Sequence, residues 1–153
     1  MKDIKTLIQE HPFFAGLDTL YLEMLAGCAS NVHYQAGEYL FHEGEPADYF
    51  YLIRGGRVRL EIAVPGRAPV VLETVQAGEV IGWSWLFPPH LCQFDARAAE
   101  KVRATAFDGK CLRGKCQANH DLGYELAMRS AHIMMQRLQA TRLQLLDVYG
   151  PHS

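Results

Sequence analysis

The sequence predicts an α+β, mainly β fold: a double-stranded β-helix, or jelly roll, with helices before it and a long dimerisation helix after it. Short β-rich runs, each bounded by turn residues, follow one another closely between residues 32 and 108. In residues 1–31 and 109–149 the apolar residues recur at helical spacing instead. We therefore expect a single domain over residues 1–153, with all of its strands in the middle segment.

The bulk composition excludes several classes of protein. The chain has 153 residues, a formal net charge of −2 and 49% hydrophobic residues, so it can bury a core without disulfides. It lacks the basic footprint of a nucleic-acid-binding protein, a run of ~20 apolar residues that could span a membrane and a secretory signal. We expect a cytoplasmic protein whose four cysteines are free thiols.

The first segment predicts two helices. Ile4, Leu7 and Ile8 form the apolar face of the first helix, and His11-Pro12 ends it because proline disfavours a helical conformation in the residue before it. Asp18 is a suitable N-cap for the second helix, which should end near residues 28–31.

The middle segment contains about eight short candidate strands. The run Val58–Ile62 alternates cleanly between apolar and charged residues, which indicates a strand with one buried face. The Gly55-Gly56 pair between two such runs is the signature of a two-residue hairpin. So many short strands at this spacing favour a jelly roll or a similar double-sheet barrel.

A long helix is predicted to run to about Tyr149, capped by Asn119 or Asp121. Its apolar residues recur in alternating steps of four and three, which is the spacing of a coiled-coil seam, and a second apolar face lies beside them. A helix that is apolar on two faces usually has two partners. We expect one face on the barrel and the other on a twin helix in a homodimer, with these dimer residues: Ala131, Met134, Leu138 and Leu145.

The segment of residues 78–98, which we call the cassette, is the candidate functional site. It opens with Gly78 and Gly82 and contains Trp83 and Trp85, the two tryptophans of the chain. A short helical turn between strands, with glycine at its mouth, can bind an anion on free backbone N–H groups. The alternative is that both tryptophans are core residues beside a long turn.

The chain resembles the cyclic-nucleotide-binding domain of the catabolite-activator (Crp/Fnr) superfamily. The stretches that carry the resemblance are residues 36–62, AGEYLFHEGEPADYFYLIRGGRVRLEI, and residues 72–83, LETVQAGEVIGW. The resemblance implies a regulatory barrel that senses a ligand, holds a nucleotide phosphate in the cassette and signals through the long helix. DNA-binding members carry a helix-turn-helix domain after that helix, so we expect no direct DNA binding from a chain that stops at residue 153.

Two departures from the family pattern fall in the cassette. Cyclic-AMP-binding members have a glutamate just after the second glycine and an arginine about nine residues later, whereas here Trp83 takes the place of the glutamate and the arginine position falls near Cys92. The resemblance therefore implies a degenerate cassette that does not bind cyclic AMP in the usual way. Asp95 would repel a phosphate, and it and Arg97 share a strand face where they could pair with each other.

The pocket that remains should be aromatic and weakly charged, formed by Trp83, Trp85, Phe87 and Phe94 with Ser84 and Gln93. It could bind a cyclic nucleotide in another way or a small apolar or planar ligand. The alternative is that its own side chains fill it. The candidate ligand-binding residues are Gly82, Trp83, Ser84, Trp85, Cys92, Gln93, Phe94 and Arg97. No catalytic residue, metal ligand or cofactor is assigned.

Two other functions remain open from the residues. Jelly rolls host metal-dependent enzymes of the cupin type, for which the candidate ligands would be His33, His42, Glu43 and His90. Their spacing lacks the pair of histidines one residue apart that such sites use. A thiol sensor based on Cys92 would need a cation or a helix N-terminus nearby to lower the pKa of that thiol.

Overall fold

The computed structural model describes residues 3–149 and confirms the predicted order of helices, strands and helices. The helices are α1 (Ile4–Glu10), α2 (Thr19–Ala26), α3 (Gly109–Ala118) and α4 (His120–Tyr149), with 3₁₀ turns at Pro12–Phe14 and Trp83–Trp85. The strands are β1 (Ala29–Tyr34), β2 (Tyr39–Phe41), β3 (Tyr49–Gly55), β4 (Arg57–Ile62), β5 (Val70–Gln76), β6 (Val80–Ile81), β7 (Asp95–Ala98) and β8 (Val102–Asp108).

The eight strands form two four-stranded antiparallel sheets, ordered β1-β8-β3-β6 and β2-β7-β4-β5, which do not close into a barrel. The predicted Gly55-Gly56 hairpin is wrong, because β3 and β4 lie in different sheets and the glycine pair carries the chain from one sheet to the other. Gly56 has a φ of +84° and lies so close to the carbonyl of Lys101 that a Cβ would overlap it. Only glycine meets both conditions.

Two separate apolar cores result. One lies between the two sheets and includes Ile53, Leu60 and Ala96. The other lies between the helices and the outer face of the β1-β8-β3-β6 sheet, and includes Ile8, Phe50 and Leu122. Side chains therefore alternate between the two cores along the central strands, because successive residues of a strand point to opposite faces of its sheet.

The cysteines differ from the expectation of four free thiols. Cys28, just after α2, forms a disulfide with Cys111 in α3, with a Cα–Cα distance of 5.5 Å. The two cysteines are 83 positions apart in the chain, and the strands that bring them together could not be placed from cysteine spacing alone. Cys92 and Cys116 are the unpaired cysteines of the structure.

Helix α4 packs on the rest of the molecule in its first part and is exposed in its last part. Asn119 caps it, since its side-chain oxygen accepts a hydrogen bond from the N–H of Leu122 at 3.1 Å. The buried residues of α4 are Leu122, Leu126 and Ser130, whereas residues 138–149 are all exposed. Within residues 3–149 no helix is both long enough and apolar enough to cross a membrane.

Candidate functional site

The cassette folds as a tight corner. Strand β6 ends at Ile81, Gly82 follows with a φ of +92°, and the 3₁₀ turn Trp83–Trp85 begins directly after it. A Cβ on Gly82 would lie 2.8 Å from the carbonyl oxygen of Tyr49. Both the backbone angle and the close approach require glycine at this position. This glycine is the feature of the sequence from which the cassette was recognised.

The two tryptophans lie on the helix side of the sheet. The ring of Trp83 lies 5.1 Å from that of Phe50 and 5.9 Å from that of Phe13. Trp85 is 1% exposed, and Arg113 of α3 donates a hydrogen bond to its carbonyl oxygen at 2.6 Å. Both rings therefore anchor the cassette to the helical core, as the alternative interpretation stated, and the expected aromatic pocket of Trp83, Trp85 and Phe87 does not form.

Arg97 points away from the space between the sheets. Its Nη2 lies 2.8 Å from the carboxylate of Glu61, and its guanidinium carbon lies 6.0 Å from the ring centroid of Tyr39. The expected pairing of Asp95 with Arg97 is wrong, because the Asp95 carboxylate accepts a hydrogen bond from the N–H of Glu43 at 2.8 Å. Asp95 thereby fixes the turn after β2 and does not face the site.

Cys92 lines a cavity of about 240 Å³ that enters between the two sheets from the β2–β3 connection. Cys92 is 7% exposed, and its Sγ lies 4.0 Å from the carbonyl oxygen of Pro46. Burial first, and then the nearby carboxylates of Glu45 and Asp48, raise the pKa of this thiol to about 11. The thiol is therefore neutral at physiological pH, which is the reverse of what a thiol sensor needs.

The other candidate residues are dispersed around this cavity or beyond it. Phe94 packs on Phe41 with a ring separation of 5.8 Å. Gln93 is exposed, and its side-chain amide donates to the carbonyl of Leu91 at 2.9 Å. Ser84 is half-buried within the 3₁₀ turn. Of the eight candidates, Cys92 alone is among the residues that line this cavity.

A larger cavity of about 540 Å³ lies between α4 and the body of the molecule, and sequence reasoning missed it. Arg137 crosses it, with Nη2 donating to the carbonyl oxygen of Val80 at 2.6 Å and Nε 3.5 Å from the carboxylate of Glu73. Arg129, two helical turns earlier, donates to the carbonyls of Phe13 and Ala15 at 2.8 and 2.9 Å. Arg129, Ile133 and Arg137 follow one another at intervals of four residues. This spacing was the signal in the sequence that they share one face of α4.

A third feature lies under α1. His11 is 5% exposed; its Nδ1 accepts from the N–H of Phe13, and its Nε2 lies 3.2 Å from the carbonyl oxygen of Ile53, so the tautomer with a proton on Nε2 satisfies both contacts. Burial lowers the pKa of His11 and so favours the neutral ring.

The structure does not favour a metal enzyme of the cupin type. No group of three or more His, Cys, Asp or Glu within the described residues could hold a metal ion. Of the four candidate ligands, His42 instead stacks near the ring of Tyr39 at 4.2 Å, and its Nδ1 lies 3.7 Å from the Asp95 carboxylate.

The chain is similar to a described protein family and to solved structures. A family model described as the cyclic nucleotide-binding domain matches residues 31–119. The chain is 26% identical to a cyclic nucleotide-binding protein of known structure from Geobacter metallireducens, with a TM-score of 0.81 over 90% of this chain and 99% of that one.

Two curated relatives from Mycobacterium tuberculosis are also similar. A CRP-like cAMP-activated global transcriptional regulator is 24% identical over 135 residues, which cover 88% of this chain. An NTE family protein is 36% identical over 80 residues, or 52% of this chain. The matched region spans 58% of the regulator and 13% of the NTE family protein.

Proposed function

The chain belongs to the cyclic nucleotide-binding domain family, and from this premise we propose that it is a non-catalytic, ligand-sensing regulatory domain whose cassette does not bind cyclic AMP in the usual way. The observation that carries the proposal is Cys92. The arginine position in the sequence pattern of cyclic-AMP-binding members falls near this residue, which lines the cavity between the sheets.

The electrostatics of this cavity oppose a cyclic phosphate. A buried anion that loses its arginine partner is destabilised by about 3–5 kcal/mol, which corresponds to about two to four orders of magnitude in affinity. Glu45 and Asp48 line the same cavity and add negative charge. Arg97 does not replace the missing cation, because it is held on the outer face of the sheet by Glu61.

Calorimetric titration with cyclic AMP and cyclic GMP tests this proposal. We expect no heat of binding at micromolar nucleotide. Saturable micromolar binding would refute the proposed degeneracy, and the Arg97→Met variant would then show whether Arg97 is the phosphate ligand. The matched control is Arg59→Met, since Arg59 is the exposed cross-strand neighbour of Arg97.

We propose in addition that α4 forms a homodimer. One set of its exposed apolar residues continues far beyond the part that packs on the body, and together with Ala131 this set recurs in alternating steps of four and three from Tyr124 to Leu138, followed by steps of seven and four to Tyr149. These residues are Tyr124, Met128, Met135, Leu138, Leu145 and Tyr149. Exposed Ala131 falls in the same stripe, whereas Met134 is half-buried and Met135 takes the place predicted for it. Arg142 interrupts this stripe between Leu138 and Leu145, and an exposed apolar stripe on one helix is a typical association surface.

Light scattering coupled to size-exclusion chromatography tests the dimer. We expect twice the chain mass for the unaltered protein and a single chain mass for the Leu138→Glu/Leu145→Glu variant, which places charge in the seam. Gln139→Glu is the control, because Gln139 is exposed on α4 outside the stripe. If the unaltered protein elutes as a monomer at high micromolar concentration, the proposed dimer is refuted.

A further inference from the structure

The cavity beside Cys92 has an aromatic wall. Rings surround Tyr51, with centroid separations of 6.5 Å to Tyr34, 6.2 Å to Phe41 and 6.2 Å to Tyr49, and all four residues line the cavity. Burial is the first cause that raises the pKa of Tyr51 above its ordinary value, so its ring carries no charge at physiological pH. The faces of neutral aromatic rings are electron-rich and attract cations.

Two carboxylates complete the lining. Glu45 and Asp48 are exposed at the cavity mouth, and within residues 3–149 no hydrogen bond or ion pair joins either carboxylate to another side chain. Their backbones are fixed, since the Glu45 carbonyl accepts from the N–H of Cys92 at 2.8 Å and the Asp48 carbonyl accepts from the N–H of Gly109 at 2.8 Å. No lysine, arginine or histidine is among the residues that line this cavity.

The charge of the site is thus the opposite of what a phosphate requires. Electron-rich rings on the inside, unpaired carboxylates at the entrance and no basic side chain are the combination that recognises ammonium groups. The volume of about 240 Å³ is below the roughly 300–1,000 Å³ of pockets that bury drug-sized ligands. The occupant must therefore be small, or must insert a small headgroup.

We propose that this cavity binds a small organic cation, a quaternary ammonium group or a protonated alkylamine. This inference rests on the proposed function, since it names the ligand class for the same ligand-sensing domain. It does not require that cyclic nucleotides fail to bind elsewhere on the chain.

The test is a titration with choline chloride and tetramethylammonium chloride at constant ionic strength, followed by amide chemical shifts in ¹H–¹⁵N spectra. We expect saturable shifts that are largest at the amides of residues 45–51 and 92. The neutral isostere of choline, 3,3-dimethylbutan-1-ol, should bind at least tenfold more weakly. Equal binding of the neutral analogue would overturn the assignment of a cation.

Variants separate the contributions of charge and aromatic surface. Glu45→Gln, Asp48→Asn and Tyr49→Leu should each weaken binding several-fold, and the double variant Glu45→Gln/Asp48→Asn at least tenfold. Glu43→Gln is the matched control, because Glu43 is exposed on the same connection and does not line the cavity. Absence of saturable shifts, or equal effects of the control and Glu45→Gln, would refute the proposal. The nucleotide titration described above decides the proposed function separately.

Discussion

The pair formed by Glu61 and Arg97 permits the sharpest test of the site assignment. Glu61 is 1% exposed, and the 2.8 Å contact with Arg97 is its one charged partner among the described residues. Replacing Arg97 with Met leaves a buried carboxylate without a cation, and breaking a buried pair in this way costs about 3–5 kcal/mol. The Arg97 side chain is 30% exposed, so water can partly replace it and the lower end of the range applies.

The measurement is the free energy of unfolding from denaturant titration, supported by the thermal midpoint. A loss of about 3 kcal/mol lowers the midpoint of a domain of this size by about 6–12 °C. The Glu61→Gln/Arg97→Met double variant should recover part of the loss, because it removes the stranded charge. Arg59→Met, on the neighbouring strand, should change stability by less than about 0.5 kcal/mol. If Arg97→Met is as mild as this control, the structural role assigned to Arg97 is wrong.

Three further predictions concern the attachments between helices and sheets. The Cys28–Cys111 disulfide closes a loop of 83 positions, so the chain-entropy relation predicts that Cys28→Ser/Cys111→Ser lowers the free energy of unfolding by about 4–5 kcal/mol. Identical denaturation curves with and without reductant would contradict this prediction, as would free thiols at both positions in the purified protein. Arg137→Met should cost about 1.5–3 kcal/mol, the contribution of a charged hydrogen bond, and should speed amide exchange in β6. The pKa of His11 is lowered in the folded protein, so the unfolded chain binds more protons as the pH falls through the ordinary histidine pKa of about 6.5, and the free energy of unfolding should decrease as the pH drops from 7 to 5. The His11→Gln variant should flatten this pH dependence. A slope equal to that of the unaltered protein would refute the assignment.

Local patterns in the sequence were sufficient for the fold class. Alternation over Val58–Ile62 and the glycines before each corner, of which Gly82 is the clearest, depend on nearest-neighbour geometry and are visible in one sequence. The change of sheet at Gly55-Gly56 could not be predicted from the sequence. A glycine pair between two strands is equally compatible with strands that pair with each other and with strands that enter different sheets.

The candidate site was predicted only in part. The family pattern made Cys92 a candidate, but it could not give the direction of the Trp83 ring, which depends on Phe13 and Phe50 from distant parts of the chain. The same is true of Arg97, whose partner Glu61 lies on another strand, and of the disulfide. Each of these features is a long-range contact, and one sequence without aligned relatives does not reveal which residues meet.

Arg129 and Arg137 fasten α4 to the N-terminal turn and to β6, respectively. Eight residues of helix separate these two attachments, which is about 12 Å, and Tyr149 lies about 30 Å from the first at 1.5 Å per residue. The side chains of residues 138–149 are all exposed, so the far part of α4 extends beyond both attachments. For a rigid helix, a sideways shift of 1 Å at Arg137 relative to Arg129 corresponds to a shift of about 2.5 Å at Tyr149.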